Sequence, residues 1–457
     1  MSHRNTQRSH RKAVIAIASI SAFAVTLTAC SGGGGSDAPA DGGGLGTADK
    51  HVKITMMSND AFAETWQEQL VPEFNKAYPY IDVTIDSTPY DSLLAKGLLN
   101  GTSPSPDYDL ITLDDPWTPQ LAEAGVLLDL KSDAAQWTED DYDWDDFNSA
   151  PLASSEWDDG QYGVPLRSNL LVMLYNKDLY AKAGLPEPTP ELTWDQYMEQ
   201  APELVQDTDG DGAVDSWAVG LTWVRGVLSP PFWQTVLNSN GGALFDEDMK
   251  PTFDTDEGVA ALQTQVDLLE YAPPGASTYN YNEPLDAFRQ GKIATLFTWG
   301  SAYKSAAVDE AVTTLTPDQV GIQTMPAGSE GASAHRGIWS GSVFKNSDNP
   351  EAAWALLQWM SSKEGELWSS ANLGSFPARK STLASEPAEP WLAPVYTAIQ
   401  SGFDVAADGE MWRPRSPDSN AIQEILANET SAAVQGDRTA EEALDRAASE
   451  IKELLEK

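Results

Sequence analysis

Along residues 51–130 the apolar positions switch repeatedly between a period of two and a period near four. His51–Met57 reads as a strand, with Ser58-Asn59-Asp60 as a polar break at its end. Phe62, Trp66, Leu70 and Phe74 recur at fours, which predicts a one-faced helix over Phe62–Lys76, stopped by Pro79. Ile81-Asp82-Val83-Thr84-Ile85 alternates as a second strand, and Tyr90–Leu99 is the next helix. Leu110–Leu113 is a short apolar run with β-branched members, long enough for one buried strand. It halts at Asp114-Asp115-Pro116-Trp117, and a helical pattern follows from Pro119 to a closing Gly125. This order predicts a mainly parallel sheet with crossover helices. Its strand ends, at Asn59/Asp60, Thr88/Tyr90 and 114–117, then share one rim, where open α/β sheets take ligands.

Farther along, Leu170–Tyr175, Ile293–Trp299 and Gly337–Phe344 read as strands. Asn176–Ala183, Pro230–Leu237, Asp256–Tyr271, Asn282–Gln290, Pro350–Met360 and segments of Gln423–Lys457 read as helices. Thr193-Trp194-Asp195-Gln196 is a helix start with Thr193 as its cap. A chain of 457 residues exceeds what one core usually fills, so two α/β lobes are the economical architecture.

Charge and cysteine use narrow the setting. The formal charge is −41; residues 1–29 hold Arg4, Arg8, Arg11 and Lys12 and no acid, so without those four cations the remainder carries −45. That field repels nucleic acid and offers no basic patch to anionic lipid. With four histidines, two of them His3 and His10, zinc sites and hydrolase triads have little material. A basic segment, His3–Lys12, precedes the uncharged run Ala13–Leu27 and then Leu27-Thr28-Ala29-Cys30, the pattern of a secretory signal ending in a lipobox. Cys30, the only cysteine, is the expected lipid attachment point, and the Gly/Ser/Ala/Asp-rich stretch to Asp49 a flexible tether. Membrane contact is expected through this anchor alone.

Several segments, in order, resemble the solute-binding proteins of bacterial ABC importers for carbohydrates, the group of maltose- and multiple-sugar-binding proteins. They include Phe74–Val83, Tyr108–Leu130, Tyr162-Gly163-Val164-Pro165 and Leu174-Tyr175-Asn176-Lys177-Asp178-Leu179. Phe288-Arg289-Gln290-Gly291-Lys292 leading to Thr298-Trp299-Gly300, Gly337–Lys345 and Gly374-Ser375-Phe376-Pro377-Ala378-Arg379 continue the series. The resemblance implies a two-lobed periplasmic-binding-protein-like fold that closes on a sugar in the interlobe cleft. It also implies permease subunits with a cytoplasmic ATPase as partners, and the chain is expected to act as a monomer. Lobe 1 is expected to be 50–164 plus 337–374 and lobe 2 to be 165–336 plus 375–457, behind the signal at 1–29 and the tether at 30–49.

Site candidates follow from residue chemistry. An indole face covers the apolar face of a sugar ring, and carboxylates accept its hydroxyls. Trp117, Trp299 and Trp339 border apolar strands beside Pro116, Gly300, Ser340 and Gly341, small or turn residues that leave room for a ligand. Of the two adjacent acids, one caps the turn and Asp115 is expected to meet hydroxyls. Asp60 and Tyr90 end strands on the same rim; Arg167 and Asn169 lie just past a crossing between lobes. Trp223 with Arg225, and Trp412 with Arg413, pair an indole and a guanidinium. For each the alternative is structural: core packing for the rings, a surface ion pair for the arginines. Asp207, Asp209, Asp211, Ala213 and Asp215 match the first part of a calcium loop, but Ala218 stands where the closing glutamate belongs, and a plain acidic hairpin competes. No cofactor is required for capture. A secreted glycoside hydrolase or a glycan-binding adhesin would use similar side chains; the hydrolase needs two carboxylates about 5–9.5 Å apart across the bond. Polyols and glycosylated small molecules fit the same cleft chemistry.

Overall fold

The computed structural model describes residues 44–208, 210–406 and 413–456. Nine strands build its two larger sheets: β1 Val52–Asn59, β2 Ile81–Thr88, β3 Leu110–Asp114, β4 Val164–Arg167, β5 Leu171–Asn176, β6 Trp217–Gly220, β7 Ile293–Trp299, β8 Val320–Gln323 and β9 Trp339–Val343. The first sheet has the order β2-β1-β3-β9-β4 and the second β8-β5-β7-β6. Among the described residues no helix is long and apolar enough to cross a membrane.

Helices cover both faces of each sheet, so the strands read as apolar runs. Along the second lobe, Leu171, Met173 and Tyr175 enter one core while Leu170, Val172 and Leu174 enter the other. In the first, Met56 and Leu110 pack on one side and Met57 and Ile111 on the other. The one-faced helix expected after β1 forms over 60–77, but its middle turn, Trp66–Leu70, is π-helical.

The sheets are mixed rather than mainly parallel. β1 runs parallel to β2 and β3, yet β9 is antiparallel to both β3 and β4. In the second sheet β6 and β7 are parallel, whereas β5 opposes both β7 and β8. The reason lies in the crossings. β1, β2, β3 and β7 end between the lobes; a strand that enters from the other lobe starts there and runs the opposite way.

The crossings lie side by side. β4 ends at Arg167 and β5 begins at Leu171; between them Ser168 bridges Phe376, Leu170 bridges Arg336, and the Gly337 amide donates to the Asn169 carbonyl at 2.9 Å. The stretch 375–457, expected in lobe 2 throughout, is shared instead. Phe376 packs in a lobe 2 core but Ala378 in a lobe 1 core. The buried Glu366 carboxylate accepts the amides of Ala378 and Arg379, which holds this segment to lobe 1. Leu392–Ala406 returns to lobe 2, and Ser419–Val434 with Ala440–Leu455 completes that lobe's larger core.

Candidate functional site

A cavity of about 820 Å³ opens between the lobes. Strand ends furnish its first wall. The Asn59 side chain accepts the Ala61 amide at 2.9 Å, which starts the helix at once and leaves Asp60 and Phe62 on the rim. Tyr90 opens the helix after β2, Asp114 closes β3, and Trp339 opens β9 directly opposite Asp114. The second wall holds the loop after β6, Asn280–Asn282, and Trp299 with Ser301 at the end of β7.

Trp339 is the aromatic centre of the first wall. Phe62, Tyr90 and Trp117 meet its ring edge-on, with centroids 5.1, 6.0 and 5.8 Å away. Such edge-to-face contacts fix the ring's plane. On the facing lobe the Trp299 ring lies across the crossing: a Cβ added at Gly337 would stand 2.6 Å from it.

Beneath the tyrosine lies a buried ion cluster. Arg413 Nη1 donates to Asp114 Oδ1 at 2.7 Å and to Asp115 Oδ1 at 2.5 Å, and the Tyr90 hydroxyl donates to Asp114 Oδ2 at 2.8 Å. Burial pushes the Asp115 carboxyl up to about 6 against the pull of Arg413, while the two carboxylates hold the Arg413 guanidinium firmly protonated.

Known proteins share this fold. The model of the bacterial extracellular solute-binding proteins matches residues 59–367. The chain belongs to that family. A putative binding protein of Brucella abortus is 23% identical over 413 residues, covering 89% of this chain and 93% of its own. A solute-binding protein of Agrobacterium radiobacter in complex with ribitol superimposes with a TM-score of 0.75 at 28% identity, over 88% of this chain and 98% of its own. Maltose-bound MalE3 of T. maritima gives 0.76 at 26% identity, over 88% and 100%.

In this solute-binding protein the cavity gathers Asp60, Tyr90, Arg167, Asn169, Arg225, Trp299, Trp339 and Arg413 from the residues singled out by sequence. Three others lie elsewhere. Trp117 is 1% exposed and braces Tyr90 and Trp339 from behind. Trp223 is fully buried in the lobe 2 core, its indole N–H donating to the Gln265 carbonyl at 3.1 Å. The backbone bends from Val224 on rather than staying extended, so of this pair Arg225 reaches the cavity and Trp223 does not. Asp115 is buried and turned to Arg413 and the Ile338 amide; Asp114, the expected cap, both caps the turn and lines the cavity. Trp412 and Cys30 lie outside the described residues.

The small residues beside the tryptophans serve the protein's own packing. Gly300 leaves space for the Phe376 ring and Gly341 for Leu166 and Leu357, while Ser340 is buried and bonded to Ser155. In the acidic loop, Asp207 accepts the amides of Gly210 and Gly212, Asp211 that of Ala213, and Asp215 the amide and hydroxyl of Thr208. Asp209 lies outside the described residues, and among those described no three acids gather to hold a cation.

Sequence reasoning missed Phe62, Tyr281, Arg289 and Ser301. Phe62 reads as part of a helical apolar stripe, and Arg289 as a charge on a helix end. Ser301 carried a signal, since it follows Trp299 at a strand end.

Proposed function

We propose that this protein captures a carbohydrate or polyol outside the cytoplasm and delivers it to an ABC importer. The observation that carries the reading is the cavity itself. Its walls come from two lobes and combine aromatic faces, Trp339 and Trp299, with hydrogen-bonding side chains at strand ends. Relatives solved with ribitol and with maltose support it. Capture works by closure: a solute that touches both walls favours the closed arrangement by its extra contacts there. No bond in the solute is made or broken. Lipid on Cys30 and the tether to Asp49 would hold the monomer within reach of its permease, which the signal-like N-terminus supports.

The test is calorimetric titration of the protein, after partial unfolding and refolding to strip carried-over solute, with mono-, di- and trisaccharides, polyols and amino acids. One-to-one binding of a single sugar or polyol class, lost in Trp299→Ala, is expected. Turnover of a chromogenic glycoside, or binding confined to amino acids, overturns the reading. Calcium at Asp207–Asp215 is tested apart: a chelator that lowers Tm supports a structural ion there, and an unchanged Tm removes it.

A further inference from the structure

Four arginines line the cavity, and three have partners. Arg413 holds Asp114 and Asp115. Arg289 donates to Asp286 at 2.9 Å and to the hydroxyl of Ser305 at 2.6 Å; Arg225 Nε donates to Asn428 Oδ1 at 2.6 Å. Arg167 differs. It ends β4 at the crossing, part-buried, with its guanidinium carbon 5.2 Å from the centroid of the Phe62 ring. Among the described residues it has no carboxylate within ion-pair distance and no hydrogen-bond acceptor.

A chain with 69 acids and 28 bases does not leave a cation uncompensated for want of carboxylates. Burial lowers the Arg167 pKa, which is the signature of a charge taken from water without a counterion. The group that tempers this is the Tyr281 phenol, and Tyr281 in turn feels both Arg167 and Arg289. Arg167 is therefore the cavity arginine with neither a carboxylate nor a hydrogen-bond acceptor among the described residues, and the Tyr281 phenol lines the same cavity. The cavity's acids, Asp60, Asp91, Asp114 and Glu424, do not figure among the charges acting on Arg167.

We propose that the captured solute carries one acid group, and that Arg167 pairs with it. The planar guanidinium presents two parallel N–H donors that match the two oxygens of a carboxylate or phosphate, and these charge-assisted bonds are roughly twice as strong as those it would give neutral hydroxyls. The acid end lies by Arg167 and Tyr281. The hydroxyl-bearing body extends toward Asp60 and Trp339, whose acceptor and ring suit an uncharged polyol chain or sugar ring. The solute is thus a sugar acid or a sugar phosphate. This rests on the capture reading and narrows it.

The experiment is calorimetric titration with matched sets: glucose, glucuronate and glucose 6-phosphate; galactose and galacturonate; mannitol, gluconate and mannitol 1-phosphate; cellobiose and cellobiuronate. In at least one set the acid member is expected to bind at least 100-fold tighter than its neutral parent. The carboxylate and phosphate arms tell the two oxyanion sources apart. Arg167→Gln is expected to reduce the acid's affinity to that of the parent, and Arg167→Lys to restore part of it. Added salt should weaken binding of the acid member to the wild-type protein, a readout that stands even if a variant fails to fold. Equal affinity for the neutral and acid members, with no salt dependence, overturns the acid group and leaves carbohydrate capture intact. Silence toward every set, with binding of a neutral sugar or polyol from the wider panel, overturns the acid group alone; silence toward the wider panel as well overturns the capture reading.

Discussion

Two tryptophans a few ångströms apart have opposite roles. Trp339 is part-exposed on the cavity wall, and Trp117 is buried behind it. Trp339→Ala should weaken solute binding by about 2 kcal/mol or more, roughly thirty-fold, with a smaller loss of stability than Trp117→Ala because the ring is part-exposed. Trp117→Ala should cost about 3–5 kcal/mol of stability, measured in urea, because it empties a packed core. If calorimetry and denaturation show the reverse, the assignment of the two rings is wrong. Arg413 makes a third case. Its loss strands two buried carboxylates, so Arg413→Ala should destabilise by about 3–5 kcal/mol.

At the scale of elements, the hinge crossings and one helix carry specific consequences. Gly337 lies in a crossing where the Trp299 ring occupies the space of a side chain. Gly337→Ala should displace that ring and weaken binding as far as Trp299→Ala does; unchanged affinity would show the ring's place to be unimportant. The helix Lys363–Leu373 carries Glu366 into lobe 1. Burial is the largest influence on its carboxyl and pushes it up to about 7 from an ordinary 4.5, although the amides of Ala378 and Arg379 pull the other way. Between those values the folded protein binds a proton that the unfolded chain does not. The resulting stabilisation is full below about 4.5 and is lost as pH rises through about 7. Tm should therefore fall between pH of about 5.5 and about 8, and Glu366→Gln should flatten the slope. Most of these elements were legible. Ile293–Trp299 and Pro350–Met360 form over the residues the pattern predicts, and Thr193 makes a full capping box with Gln196. Trp217–Gly220 and Val320–Gln323 went unread, since four-residue strands containing a glycine give periodicity too little length.

For the whole molecule, solute binding should draw the lobes together. Small-angle scattering should record a smaller radius of gyration with solute than without, reversed on dialysis. An unchanged radius would favour an open glycan-binding groove over capture by closure. The crossings make such motion feasible, because few strands of chain join two sheets that each have their own cores.

Sequence by itself determined the local order: apolar runs that had to be buried on both faces, caps, helix stops, and the strand ends that meet at one rim. These signals act over a few residues, within reach of the chain's own geometry. Tertiary structure alone decided which side chains meet solute. Asp114 and Asp115 are adjacent and chemically alike; a guanidinium 299 residues away from the first of them decides their roles. Likewise the ring of Phe376, not a ligand, fills the space beside Gly300. The direction of β9 follows from its entry out of the other lobe, and the isolation of Arg167 from the absence of a carboxylate near it among the described residues. Such properties depend on groups distant in sequence and close in space, which no local period encodes.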